Sequence, residues 1–131
     1  METIGAAVRW DALSQQCPTR EVLARIGDRW TVLIVTALEL HQNLRFSQLR
    51  RDIEGISQKM LTQTLRSLER DGLAQRDVEP TVPVTVRYSL TNRGRGLAAV
   101  LTQVRAWAYA NMDAIVTSRQ DYDDRPALAG S

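Results

Sequence analysis

A mainly α-helical fold with one small β-hairpin is what this 131-residue sequence predicts. Three observations carry the prediction. Phe46 to Gly72 reads as two helices joined by a tight turn at Glu54-Gly55-Ile56, and the second helix is strongly amphipathic. Two alternating strands around a Pro-rich tip follow at once. A long helix with apolar residues at i, i+3, i+4 and i+7 then runs toward the C-terminus. In that order the elements make a winged helix-turn-helix with N- and C-terminal dimerisation helices.

The elements are justified in turn. Residues 1–16 are weakly patterned and form an N-terminal arm, ordered by contact with something else, in which Trp10 is placed to dock on a partner subunit. The DNA-binding core spans 17–95. Pro18-Thr19 opens its first helix, with Thr19 as cap, Val22, Leu23 and Ile26 as buried face and Gly27 as stop. Trp30 to Leu40 is apolar nearly all round and belongs at the centre of the core. His41 to Asn43 is a loop, and Leu44 to Phe46 could form a stub strand. Ser47 caps a helix to about Ile53 that buries Leu49 and Ile53. Ser57 caps the next, whose Leu61, Leu65 and Leu68 gather on one side. Asp71-Gly72 ends it, Gly72 being suited to a left-handed cap. The wing occupies about 73–90, with strands Leu73–Val78 and Val84–Leu90. The dimerisation helix takes 96–118, and 119–131 is a loose polar tail.

Composition excludes several classes. No apolar run reaches the ~18–20 residues needed to span a bilayer, so a membrane role is not expected. The N-terminus lacks a secretory pattern, and a cytoplasmic location follows. One cysteine, Cys17, and one histidine, His41, leave no metal cluster, no intramolecular disulfide and no catalytic constellation. Neither an enzyme nor a cofactor is expected. The net charge of +2 says little by itself. Its distribution says more, because Arg50, Arg51, Lys59, Arg66 and Arg70 crowd the helix-turn-helix while Asp121, Asp123 and Asp124 mark the tail.

The polar face of the second helix carries Gln58, Lys59, Thr62, Gln63 and Arg66 behind Ser57. Arg and Lys can pair with guanine acceptors, Gln with adenine, and the Thr methyl with thymine. Ser57 at the helix N-terminus can present backbone N–H groups to a phosphate. Arg45, Arg50, Arg51 and Arg87 are candidate phosphate contacts, which position without specifying. Arg70 could equally satisfy the carbonyls that end its own helix. Leu97, Val100, Leu101, Val104, Trp107, Ala108, Met112 and Ile115 exceed what a small winged domain covers and are assigned, with Trp10, to a dimer interface. Cys17 stands immediately before a helix, where the dipole favours thiolate. It is either a packed thiol or a sensor of oxidants and electrophiles.

Element order and motifs together resemble the HxlR family of bacterial winged-helix transcription regulators, relatives of the MarR type. The resemblance runs from Cys17 to about Trp107. Its residues are Cys17-Pro18, Leu23, Ile26-Gly27, Trp30-Thr31, Leu33-Ile34, Arg45-Phe46 and Leu49, then Gly55-Ile56-Ser57 and Lys59-Met60-Leu61-Thr62-Gln63. Leu65-Arg66, Leu68-Glu69, Asp71-Gly72-Leu73, Pro83, Tyr88-Ser89-Leu90-Thr91, Gly94 and Trp107 complete it. The chain departs at Asp28-Arg29, where the family commonly has glycine and lysine. It departs again in the wing, where Pro83-Val84-Thr85-Val86-Arg87-Tyr88 stands against a usual Pro-Pro-Arg-Val-Glu-Tyr; Thr85 takes the place of the family's wing arginine, and Arg87 is the residue that could substitute for it. The resemblance implies a repressor acting by operator occlusion, and several members sense quinones, aldehydes or oxidants through a cysteine at the place of Cys17.

The leading expectation is a homodimer that reads an inverted-repeat operator in double-stranded DNA, with half-sites ~34 Å apart. An oxidant or electrophile acting at Cys17, or a ligand at the dimer interface with no role for Cys17, would shift its geometry. A winged-helix protein-interaction module without DNA binding is the alternative.

Overall fold

The computed structural model describes residues 10–127, so most of the expected arm and the last four tail positions lie outside it. Helix α1 (Thr19–Gly27) begins at Thr19 itself; Pro18 precedes it without a side-chain cap. Its apolar face is not buried as expected: Val22 is 51% exposed and Leu23 49%. Only Ile26 packs against the core, because α1 touches it at one end. Asp28 caps α2 (Arg29–His41), its carboxylate accepting from the Thr31 N–H at 3.1 Å and the Thr31 hydroxyl at 3.0 Å. Thr31, Ile34, Val35, Ala37 and Leu38 make α2 the central helix, while Leu33 and Leu40 face outward.

Strand β1 (Leu44–Arg45) leads directly into α3 (Phe46–Asp52). The helix starts one residue before the expected Ser47 cap; Gln48 Oε1 instead accepts the Arg45 N–H at 2.8 Å. Leu49 and Ile53 are both buried, as their spacing requires. Gly55, at φ 85°, makes the turn into α4 (Gln58–Arg70). Leu61, Leu65 and Leu68 are fully buried beneath it, each contributing about 1.5–3 kcal/mol. Gly72, at φ 72°, ends α4. Leu73 N–H donates to Leu68 O at 2.8 Å and Gly72 N–H to Glu69 O at 3.0 Å, the paired bonds of a Schellman cap.

Strands β2 (Ala74–Glu79) and β3 (Thr85–Leu90) form the wing, and β1 pairs on the other side of β3, giving an antiparallel sheet of order β1-β3-β2. Ala74 lies opposite Leu90, Arg76 opposite Tyr88 and Val78 opposite Val86, so these six share one face. The base of that face, with Leu44, is core, and its tip is open.

Helix α5 (Asn92–Asp123) is a single run of 32 residues, roughly 48 Å long. Thr91 caps it, accepting from the Gly94 N–H at 3.0 Å and donating to Gly72 O at 2.6 Å. Three expectations change here. The helix begins at Thr91-Asn92 as its cap and spacing require, but its core-facing part extends past 96 to Leu101. Leu101 is fully buried within the protomer against the central cluster, so it cannot also face a partner. The tail is helical to Asp123, because nothing between Arg119 and Asp123 interrupts the backbone hydrogen bonds; Pro126 comes only later. Among the described residues no helix is long and apolar enough to cross a membrane.

Candidate nucleic-acid interface

Helix α4 presents its polar face because its apolar face is fixed from below. Ser57 Oγ accepts the Met60 N–H at 3.0 Å, and the first intrahelical bond runs from Leu61 N–H to Ser57 O at 2.9 Å. The N–H groups of Gln58 and Lys59 precede that bond at the positive end of the helix dipole. Gln58, Lys59, Gln63 and Arg66 are exposed and Thr62 is partly so; Lys59, Gln63 and Arg66 lie on the side opposite the buried leucines, with Thr62 on its flank. Arg70 is exposed at the last turn.

The other candidate cations divide. Arg50 reaches across the turn, its Nη1 lying 3.4 Å from Gln58 Oε1, and so ties α3 to the start of α4. Arg51 is exposed beside it and Arg45 is exposed on β1. Arg87 differs: its guanidinium Nε donates to Glu79 Oε1 at 2.6 Å across the wing. It stands on the same sheet face as Asp77 and Glu79, away from the face that carries Tyr88. Sequence reasoning passed over Arg76. The strand register brings it to Tyr88, and both line a cleft with Thr62, Arg66 and Glu69 between α4 and the wing. Strict alternation from buried Ala74 was the available signal that Arg76 shares the α4-facing side.

At the ends of the chain, Val100, Val104, Trp107 and Met112 are exposed along α5, as is Trp10 before α1. Trp107 is 63% exposed. Ala108 and Ile115 are half-buried, and Leu97 packs on the core. Arg105 Nη1 donates to Thr36 Oγ1 at 2.6 Å, fastening α5 to α2 at the point beyond which the helix is largely bare.

Cys17 is buried at 9% exposure under the turn that precedes α1. Ser14 N–H donates to Asp11 O at 2.9 Å and Cys17 N–H to Ser14 O at 3.1 Å. Arg20 holds this turn by donating to Ala12 O at 2.9 Å and Leu13 O at 3.0 Å. The Asp11 N–H points at the sulfur, 3.2 Å away. Hydrogen bonding from the Thr19 side chain lowers the thiol pKa from its ordinary value, and the backbone groups of Thr19 and Asp11 act the same way; partial desolvation and the Asp11 charge oppose them. From the other end of α1, Arg25 Nε meets Asp71 Oδ2 at 3.2 Å, at the C-cap of α4. Both side chains are about one-third exposed, so this pair is worth roughly 0–1 kcal/mol, but it joins the two helices.

Comparison with known proteins gives consistent results. The HxlR-like helix-turn-helix family matches over residues 25–116. YtfH of Escherichia coli K12, an HTH-type transcriptional regulator, is 42% identical over 108 residues, which cover 82% of this chain and 85% of YtfH. The solved structure of ytfH from Salmonella typhimurium is similar with a TM-score of 0.79 at 40% identity, covering 85% of this chain and 98% of that one. The redox regulator HypR in its reduced form is similar with a TM-score of 0.70 at 36% identity, over 76% and 98%.

Proposed function

This chain belongs to the HxlR-like helix-turn-helix family of transcriptional regulators, and from that premise we propose that it is a homodimeric, sequence-specific DNA-binding repressor. The observation that carries the reading is the outer face of α4: Lys59, Thr62, Gln63 and Arg66 stand free of the core behind a Ser57-capped N-terminus. Lys59, Thr62 and Gln63 read base edges in a major groove, and the first-turn N–H groups, Arg45, Arg50 and Arg51 hold phosphates. The exposed apolar residues of α5, with Trp10 and the bare side of α1, support a two-fold dimer that sets two copies of α4 one helical turn apart. Occupying an inverted-repeat operator would exclude polymerase.

A redox response through Cys17 is the second part of the proposal. The lowered thiol pKa and the similarity to HypR, a redox regulator, support it. A peroxide delivers an oxygen atom to the thiolate and leaves as water, giving a sulfenic acid that condenses with a thiol of a second molecule to a disulfide and releases water; diamide instead takes the thiolate across its N=N bond and departs as the hydrazine when the second thiol attacks. Any such adduct has to lift the Asp11–Ser14 turn that Arg20 holds down. The displacement passes along α1 to the Arg25–Asp71 link at the end of α4 and to the dimer surface.

The test is a salt-titrated gel shift on DNA upstream of the protein's own gene. Wild type binds with affinity that falls steeply with salt, and Lys59→Ala and Gln63→Ala weaken it. Absence of binding, or indifference to both substitutions, would favour the protein-interaction module instead. Diamide releases wild type from DNA and leaves Cys17→Ser bound; equal release of both removes the sensor.

A further inference from the structure

We propose that Arg76 on β2 and Arg66 on α4 form a phosphate clamp that grips the DNA backbone where the recognition helix meets the wing. The proposal rests on the DNA-binding reading above and deepens it by assigning one site to one ligand chemistry, a phosphodiester.

The cleft between α4 and the sheet has a volume of about 320 Å³ and is lined by Thr62, Arg66, Glu69, Arg76 and Tyr88. Its lining is mainly polar, unlike the apolar base of the same sheet face. Two guanidinium groups come to it from different elements, Arg66 from the third turn of α4 and Arg76 from the strand register that sets it opposite Tyr88. Among the described residues, neither guanidinium has a hydrogen-bond or ion-pair partner. Two other cations of this surface are engaged: Arg87 is held by Glu79, and Arg50 lies against Gln58. Two unpaired forks, with Tyr88 beside them, offer the donors that phosphate oxygens require.

Position along α4 supports the backbone over the bases. Residues in the N-terminal turns of a recognition helix reach base edges, and the remainder of the helix leaves the groove. Arg66 lies late enough to be at the groove wall, beside the wing. It therefore positions the protein, and sequence reading falls to Lys59, Thr62 and Gln63.

The experiment measures binding to two labelled duplexes, one selected from a random library for tight binding and one of scrambled sequence, across a salt series. Arg76→Gln and Arg66→Gln are each expected to weaken both duplexes by the same factor, roughly eightfold at 0.1 M salt, and to make the slope of log K against log salt shallower by about one. Arg76→Lys keeps the charge and restores the slope. Glu69→Gln, which removes the one carboxylate in the cleft, tightens both duplexes, and this variant keeps the test open should Arg76→Gln fold poorly. Wild type that binds neither duplex overturns the DNA-binding reading itself. Wild type that binds, with slopes unchanged by Arg76→Gln and affinity unchanged by Glu69→Gln, overturns only the clamp. Loss confined to the selected duplex would make Arg76 a base reader and overturn the clamp as well.

Discussion

The two parts of this chain bury their apolar residues in different ways. From Leu44 to Ala74, each apolar residue of the helix-turn-helix except Met60 is covered by its own protomer, and its outward face is polar. In the first and last helices the relation reverses. Helix α1 buries no residue, and α5 buries only Gly94, Ala98 and Leu101 while leaving Val104, Trp107, Met112 and Val116 bare. One part is complete in isolation and presents a polar outer surface. The other is incomplete in isolation, as a surface that meets a second copy would be.

Several substitutions would break or sharpen that contrast. The largest effect belongs to the complete part: Leu65→Ala leaves a cavity under α4 and costs about 2–5 kcal/mol, read as a lower urea midpoint. Trp107→Ala should leave helical content intact and weaken self-association roughly thirtyfold, about 2 kcal/mol, in sedimentation measurements. Unchanged association would place the interface elsewhere. Next come two glycines two residues apart in α5. A Cβ at Gly94 would lie 1.9 Å from the Leu73 carbonyl oxygen, whereas one at Gly96 meets nothing within 4 Å. Gly94→Ala is expected to destabilise by about 1–3 kcal/mol, and Gly96→Ala to stabilise by roughly 0.5–1 kcal/mol. Equal thermal shifts for the two would mean that α5 does not start pressed against the end of α4. The smallest effect is at Cys17. Since the Thr19 side chain is the largest influence holding its pKa below the ordinary thiol value, the midpoint of its alkylation rate against pH should lie low and rise in Thr19→Val. An unmoved midpoint would mean that Thr19 does not hold the thiolate.

Much of the complete part was legible in the sequence. Spacing placed Leu61, Leu65 and Leu68 on one side of α4, and the cap at Ser57 and the stop at Gly72 are local chemistry that a short window contains. Periodicity fails where the question is which surface covers an apolar face. Leu101 and Val104 belong to the same i, i+3 pattern, yet one is core and the other open. Val22 and Leu23 look like core residues for the same reason. Long-range register is equally silent: Arg87 finds Glu79 eight positions away, and Arg76 finds the α4 cleft, only once β2 and β3 are aligned. A polar tail reads as loose in the sequence, but polarity does not stop a helix where no Gly or Pro intervenes.

The spacing of the two α4 helices tests the account most directly. Cys17 is the sole cysteine, so Cys17→Ser combined with Gln63→Cys accepts one nitroxide per protomer at the centre of the reading face. Pulsed dipolar spectroscopy of the free protein should then report a distance of about 34 Å between the labels, one helical turn of DNA. No dipolar coupling at concentrations that saturate DNA, or a distance that fits no whole number of helical turns, would contradict a dimer built by the chain's ends to present α4 to two half-sites.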